Sequence, residues 1–245
     1  MNMRGRTVLV TGASRGIGAE LARLLIDRGV DVLGVARTAF QVPGVTPLLL
    51  DFEQTGAARR LAERIARDHP ACCGLIANAA IMEHVDLTQG DHDTRIAREV
   101  SINLTAPMQL AVAMVPQLAA NGPGFVNVVT SGLAIASRAE AAIYCATKAG
   151  LRSFVRTLRY QCQDAGLPVH VSETVMTLVA TSLSRDMPDR YPPERAAEDL
   201  LKGIEAGRDE IWIERTRLLR LLNRLSPALA HRLLRGPNVR QIGGA

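Results

Sequence analysis

The sequence predicts an α/β fold: a doubly wound parallel sheet of about seven strands, with helices on both faces. Three observations predict it. Short apolar β-type runs alternate with helix-period segments from the first residues onward. The segments between consecutive strands are mostly ten or more residues long, the length that a parallel crossover needs. No composition shift, linker, internal repeat or low-complexity stretch interrupts the alternation, so one domain over 1–245 is expected.

The elements follow in order. Arg6–Val10 reads as the first strand. Gly16–Arg28 is a helix with Ile17, Leu21, Leu24 and Leu25 on one face and Gly29 as its stop. Val30–Ala36, Thr46–Leu50 and Gly74–Ala77 are the next three strands, with a helix over Thr55–Asp68. Asp91–Ala120 is helical with a break expected near Ala106–Pro107, because proline supplies no backbone N–H. Gly124–Thr130 is a fifth strand, about Ala141 to Asp164 a long helix, Pro168–Thr174 a sixth strand and Glu210–Glu214 a seventh.

Composition excludes several function classes. The chain is 47% apolar and 22% charged, and no run approaches the roughly 18 apolar residues of a membrane span. The run Val8–Val10 is too brief for a secretory signal. The cysteines Cys72, Cys73, Cys145 and Cys162 form no CxxC pair and no disulfide-framework spacing, which fits a reducing, cytoplasmic setting. The histidines form no HExxH and no cluster with cysteines, so no metal is expected. The net charge of +5 is confined to the C-terminal end: eight arginines against three acids follow position 207, and residues 1–207 are formally neutral. Aromatics are 3% of the chain and the late arginines alternate with leucines, a pattern that argues against nucleic acid.

The first strand runs into Thr11-Gly12-Ala13-Ser14-Arg15-Gly16-Ile17-Gly18, and a helix follows at once. Glycines allow a sharp turn and close backbone approach to a ligand, and the helix N-terminus offers unpaired N–H groups to an anion. Strand, glycine turn and helix at the start of such a sheet are the context of a Rossmann dinucleotide site, here with the spacing GxxxGxG. An NAD site calls for an acid at the end of strand two. This strand ends in Val35-Ala36-Arg37-Thr38, and Arg15 can reach the same place. Two cations and no carboxylate favour a 2′-phosphate, hence NADP(H).

The long helix opens with Tyr144-Cys145-Ala146-Thr147-Lys148. The i, i+4 spacing puts phenol and ammonium on one face, one turn apart. A free phenol titrates near pH 10, and a neighbouring cation favours phenolate. Lys148 is one of only two lysines beside twenty-seven arginines. Thirteen residues before Tyr144 stands Ser131, just past strand five, at the carboxyl edge where open α/β sheets bind ligands.

From about residue 5 to 215 the sequence resembles the classical short-chain dehydrogenase/reductase family. The residues that carry the resemblance are Gly12, Gly16 and Gly18; Asp51 after strand three; Asn78-Ala79-Ala80 after strand four, with Ala80 where the family has Gly; and Asn103, Ser131, Tyr144 and Lys148 at the positions of its catalytic tetrad. The resemblance implies that Tyr144 is the general acid or base and that Ser131 holds the substrate oxygen. It implies that Lys148 tunes Tyr144 and bonds the nicotinamide ribose, and that Asn103 holds a water feeding protons to Lys148. The implied cofactor shell is Gly12, Ser14, Arg15, Gly16, Ile17, Gly18, Arg37, Asp51, Phe52, Asn78, Ala79, Tyr144, Lys148, Thr177, Val179 and Thr181. One departure stands out: Met176-Thr177 occupies the place of the family's Pro-Gly or Pro-Pro after strand six, although Thr181 remains in position for the carboxamide.

Ser131, Leu133, His84 and Met176, with Met82 and Ile135 nearby, are the expected pocket walls. Residues 182–205 are the expected substrate lid. The tail Arg215–Arg235 reads as two short amphipathic helices split by Pro227. Its leucines are expected to cap the sheet or a subunit interface rather than lie on a membrane. A related tail occurs in the DltE-like branch of the family. The family's habit implies a homodimer or homotetramer, with the Ala141–Asp164 helix as an interface. The reading is thus an NADP(H)-dependent reductase interconverting a ketone or aldehyde with an alcohol. A C=C or C=N reductase or an epimerase on the same fold, and a sensor or scaffold that binds NADP(H) without turnover, stay open at this point.

Overall fold

Seven segments take extended backbone: β1 (Thr7–Thr11), β2 (Asp31–Ala36), β3 (Val45–Leu49), β4 (Cys72–Ala77), β5 (Gly124–Ser131), β6 (Val169–Met176) and β7 (Glu210–Trp212). They come from a computed structural model that describes residues 2–181 and 190–236. The helices are α1 (Gly16–Asp27), α2 (Ala57–Asp68), α3 (Asp93–Val100), α4 (Ala106–Ala120), α5 (Ala142–Asp164) and α6 (Pro193–Glu205), with α7 (Thr216–Leu225) and α8 (Pro227–Leu234) after the last strand. All strand pairs are parallel, in the order β3-β2-β1-β4-β5-β6-β7. The winding reverses between β1 and β4, and a crevice opens at the carboxyl ends of strands at such a point.

Side chains alternate across each strand, and that alternation divides the core into two layers. Leu9, Leu75 and Val126 face α2, α4 and α5, where Leu61, Ile65, Leu110, Met114, Leu151 and Val155 are buried. Val8, Val10, Ile76 and Phe125 face α1 and α6, where Leu21, Leu25, Leu200 and Leu201 are buried. Gly74 is what lets the Phe125 ring pack against β4: a Cβ there would stand 2.3 Å from the ring. Asn127 lies in the middle of β5 and is fully buried. It donates to Ser172 Oγ at 2.9 Å and accepts from Thr174 Oγ1 at 3.0 Å, so its amide is partnered across to β6.

The structure corrects three expectations. The break in the 91–120 segment is a π-turn over Ser101–Thr105, upstream of Ala106–Pro107, and Pro107 sits inside the first turn of α4. Pro107 has no N–H for the Asn103 carbonyl four residues back, so the ladder widens before the proline, where the carbonyls would lose their donors. The lid expected over 182–205 divides in two: 182–189 lie outside the described residues, and Pro193–Glu205 is α6. The side chains of Ala196, Ala197, Leu200, Leu201 and Ile204 are buried in the core layer shared with α1, so this stretch is core and not cover. The tail leucines divide as well. Leu219, Leu222 and Leu234 pack with Ile135, Ala136 and Ala230 over the segment that follows β5, whereas Leu218, Leu221, Leu225, Leu229 and Leu233 face outward.

Phe125→Ala should lower unfolding free energy by about 3–5 kcal/mol, since a fully buried ring is removed from a layer that cannot collapse around Gly74. Urea denaturation measures this; a loss under about 1 kcal/mol would contradict the packing described.

Candidate active site

The glycine turn is held in a shape that only glycines permit. Gly12 has φ +71°, and a Cβ on it would lie 3.0 Å from Ala79 Cα; a Cβ on Gly18 would lie 2.0 Å from the Gly12 carbonyl oxygen. The turn is tied to β4 through Thr11, a buried residue to which the sequence reading assigned no role. Its Oγ1 accepts from the N–H groups of both Asn78 and Ala79 at 3.0 Å, and Asn78 Nδ2 donates back to the Thr11 carbonyl at 3.0 Å. Arg15 is the N-cap of α1 and no side chain caps that end, so the first-turn N–H groups are left for an anion.

Beside the turn lies a cavity of about 680 Å³. Gly12, Ser14, Arg15, Gly16, Ile17, Gly18, Arg37, Asp51, Phe52, Asn78, Ala79 and Thr181 all line it, so twelve of the expected cofactor residues are brought together. Arg15 and Arg37 are exposed, and among the described residues neither is in an ion pair. Asp51 Oδ1 accepts from the Glu53 N–H at 3.0 Å, which fixes the carboxylate at the cavity wall. Thr181 lies over the turn, 3.1 Å from where a Gly16 Cβ would be. Arg98 and Glu83 also line the cavity and pair with each other at 2.9 Å.

Other residues expected at the site lie outside this cavity. Val179 is buried and Thr177 Oγ1 donates to Glu214 Oε2 at 3.0 Å, so neither lines the cavity. That bond ties the loop after β6 to the turn after β7, and it supplies an anchor where a proline is missing. Met176 is buried in the core layer shared with α1 and α6 and lines no described cavity. His84 is exposed, 3.9 Å from the buried Glu140, and Leu133 is half-buried.

At the carboxyl end of β5 the other predicted residues converge. Ser131 Oγ accepts from the Leu133 N–H at 3.1 Å, which fixes its rotamer. Lys148 is 2% exposed, and its Nζ donates to the Val129 carbonyl at 2.8 Å while standing 5.6 Å from the Tyr144 ring centroid. Burial lowers the Lys148 pKa to about 8, with the Glu99 carboxylate opposing. Burial pushes the Tyr144 phenol above its ordinary value, and its hydrogen bond with Ser131 draws it back part of the way.

Asn103 is fully buried in the π-turn. Its Oδ1 accepts from the Ile81 N–H at 2.9 Å and its Nδ2 donates to the Ile81 carbonyl at 2.7 Å, so the amide holds the loop after β4 in place. Beneath it lies Glu99, which the sequence reading did not single out. Glu99 is 1% exposed, 3.4 Å from Asn103 Nδ2, with one carboxylate oxygen lacking a partner among the described residues. Burial first and the neighbouring Glu83 second raise its pKa to about 7. A carboxylate one turn before Asn103 was visible in sequence, but nothing there shows that the helix turns it inward.

Comparison with known proteins identifies the family. The family model described as short chain dehydrogenase matches residues 6–191. The chain is 32% identical over 235 residues to the uncharacterized oxidoreductase DltE of Bacillus subtilis (strain 168), covering 90% of this chain and 92% of that one. It is 29% identical over 191 residues to a benzil reductase, (S)-benzoin forming, of the same organism, covering 72% and 79%. Among solved structures it is similar to a short chain dehydrogenase from Burkholderia cenocepacia J2315 in complex with NADP, with TM-score 0.86, 25% identity and coverage of 97% and 100%. The fold, the glycine turn and the convergence at β5 therefore have one explanation: this chain belongs to the short-chain dehydrogenase/reductase family, in its DltE-like branch, and is an oxidoreductase of that family.

Proposed function

We propose that the chain is an NADP(H)-dependent carbonyl reductase, working reversibly as an alcohol dehydrogenase, with Tyr144 as its acid–base group. The observation that carries the reading is the meeting of Ser131, Tyr144 and Lys148 at the carboxyl end of β5. The relative named as a benzil reductase, (S)-benzoin forming, supports the substrate class.

The residues present fit a dinucleotide phosphate. The glycine cradle has no room for a Cβ, the α1 N-terminus carries no side-chain cap, and Arg15 in the turn and Arg37 after β2, which are in no ion pair among the described residues, line the same cavity. The turn and α1 would hold the pyrophosphate, Arg15 and Arg37 the 2′-phosphate, Asp51 the adenine, and Thr181 the carboxamide. The NADP complex of the Burkholderia relative supports this choice. When bound, the nicotinamide supplies or accepts the hydride.

The chain's own groups handle the oxygen and the proton. Ser131 holds the carbonyl oxygen by a hydrogen bond. The desolvated phenol of Tyr144 stays protonated at neutral pH, so it enters reduction as the acid. Once the proton has passed to the new alcohol, the phenolate is left beside the Lys148 ammonium and the Ser131 hydroxyl, which stabilise it. In oxidation the same groups work in reverse.

Three outcomes test the reading. Tyr144→Phe should lower kcat on an aryl ketone panel at least about 100-fold while leaving the NADPH Kd within about threefold; retained turnover would remove Tyr144 from the chemistry. Arg37→Asp should shift the NADPH-to-NADH ratio of kcat/KM at least about tenfold toward NADH, because a charge-assisted bond becomes a repulsion. Lys148 is charged below its lowered pKa of about 8 and loses that charge above it. The reductive kcat/KM should therefore fall as pH passes through about 8, and a profile flat to about pH 10 would contradict the assignment.

A further inference from the structure

We propose that the outer face of α7 and α8 docks on an anionic lipid bilayer. This goes beyond the oxidoreductase reading and does not depend on it. The two helices carry three stripes. Leu219 and Leu222 point inward with Ala136 and Ala230. Leu218, Leu221 and Leu225 repeat at i, i+3, i+7 and are 69%, 56% and 75% exposed; Leu229 and Leu233 on α8 are 44% and 66% exposed. Arg217, Arg220, Arg224 and Arg232 each precede one of these leucines, so the guanidiniums form the neighbouring stripe and are all exposed.

The charge is one-sided. Residues 216–236 contain no Asp or Glu. Arg217 and Arg220 lean back on Trp212, through its carbonyl and its ring. Arg215, at the start of α7, pairs with Glu214 at 2.9 Å, whereas among the described residues Arg217, Arg220, Arg224, Arg232 and Arg235 are in no ion pair. On the other side of α8, His231, Arg232 and Arg235 border an open groove of about 580 Å³ floored by alanines of α5, where Arg138 is already paired with the buried Glu140 at 2.6 Å. The exposed arginines beside the leucine stripe suit phosphate headgroups, and the leucines suit the acyl boundary beneath them.

Other occupants fit less well. A second copy meeting this face about a two-fold axis would press arginine on arginine with no acid to offset them. A soluble acidic protein would be met through aromatic anchors, and 216–236 has none. A bilayer needs only apolar side chains ringed by cations, and among the described residues no helix is long and apolar enough to cross it, so the contact is peripheral.

The test is co-sedimentation of the full chain with vesicles of phosphatidylcholine alone or mixed with phosphatidylglycerol. The expected result is binding to the mixed vesicles only, weakened by salt, and reduced at least about tenfold in Leu221→Ser/Leu225→Ser and in Arg224→Glu/Arg232→Glu. Circular dichroism and light scattering on the same samples report fold and mass. No binding to phosphatidylglycerol vesicles at low salt overturns the proposal. So does unchanged binding of the leucine variant, which would leave only a polycation that any polyanion attracts. A leucine variant that loses a dimer while keeping its vesicle binding overturns it too, because the face would then belong to a second copy.

Discussion

An ammonium group buried in the wall of a parallel sheet sets the geometry around it. Lys148 is nearly inaccessible, and burying its charge is unfavourable unless the group is bonded. Its partner is the carbonyl of Val129, two residues before Ser131 on the same strand. That bond helps to hold α5 against β5, with Tyr144 beside Ser131. One turn later Arg152 continues the stripe: it pairs with Glu173 on β6 at 2.6 Å and lies over Trp212 of β7. Thr130 closes the set by bonding Glu173 from β5. Tyr144, Lys148 and Arg152 recur every four residues, so one face of α5 is stitched to three adjacent strands by polar contacts that tolerate little sliding.

A second set of polar stitches governs the cofactor side. Thr11 joins the ends of β1 and β4, and Asn103 holds the next stretch of chain through both hydrogen bonds of Ile81. The π-turn is what makes the latter possible, since it turns Asn103 inward at the depth of that loop. Glu99 lies within the same buried region and raises the Lys148 pKa against the effect of burial. The site is therefore an electrostatic balance among desolvated groups, with packing holding each at its distance.

The C-terminal helices connect this centre to the surface. Leu219 lies 3.1 Å from where a Gly132 Cβ would stand, so α7 is seated on the segment that follows Ser131. The leucines opposite it face solvent. One pair of short helices thus covers the segment after Ser131 on its inner face and offers an apolar, cationic face outward.

By itself the sequence determined the alternation of strands and helices, the glycine turn, the absence of an acid after β2 and the spacing of Tyr144 to Lys148. Those are local properties, written in periodicity and in the few residues that a turn or a helix face permits. Only the tertiary structure decided that the helix break is a π-turn upstream of Pro107, that Glu99 and Thr11 are buried partners of the site, and that Met176 belongs to the core. It also decided which tail leucines are covered. The reason is physical: an apolar or ionisable side chain carries the same local signal whether its surroundings are protein or water. Burial, desolvation and pairing are fixed by neighbours distant in the chain, which come together only when the sheet has closed around them.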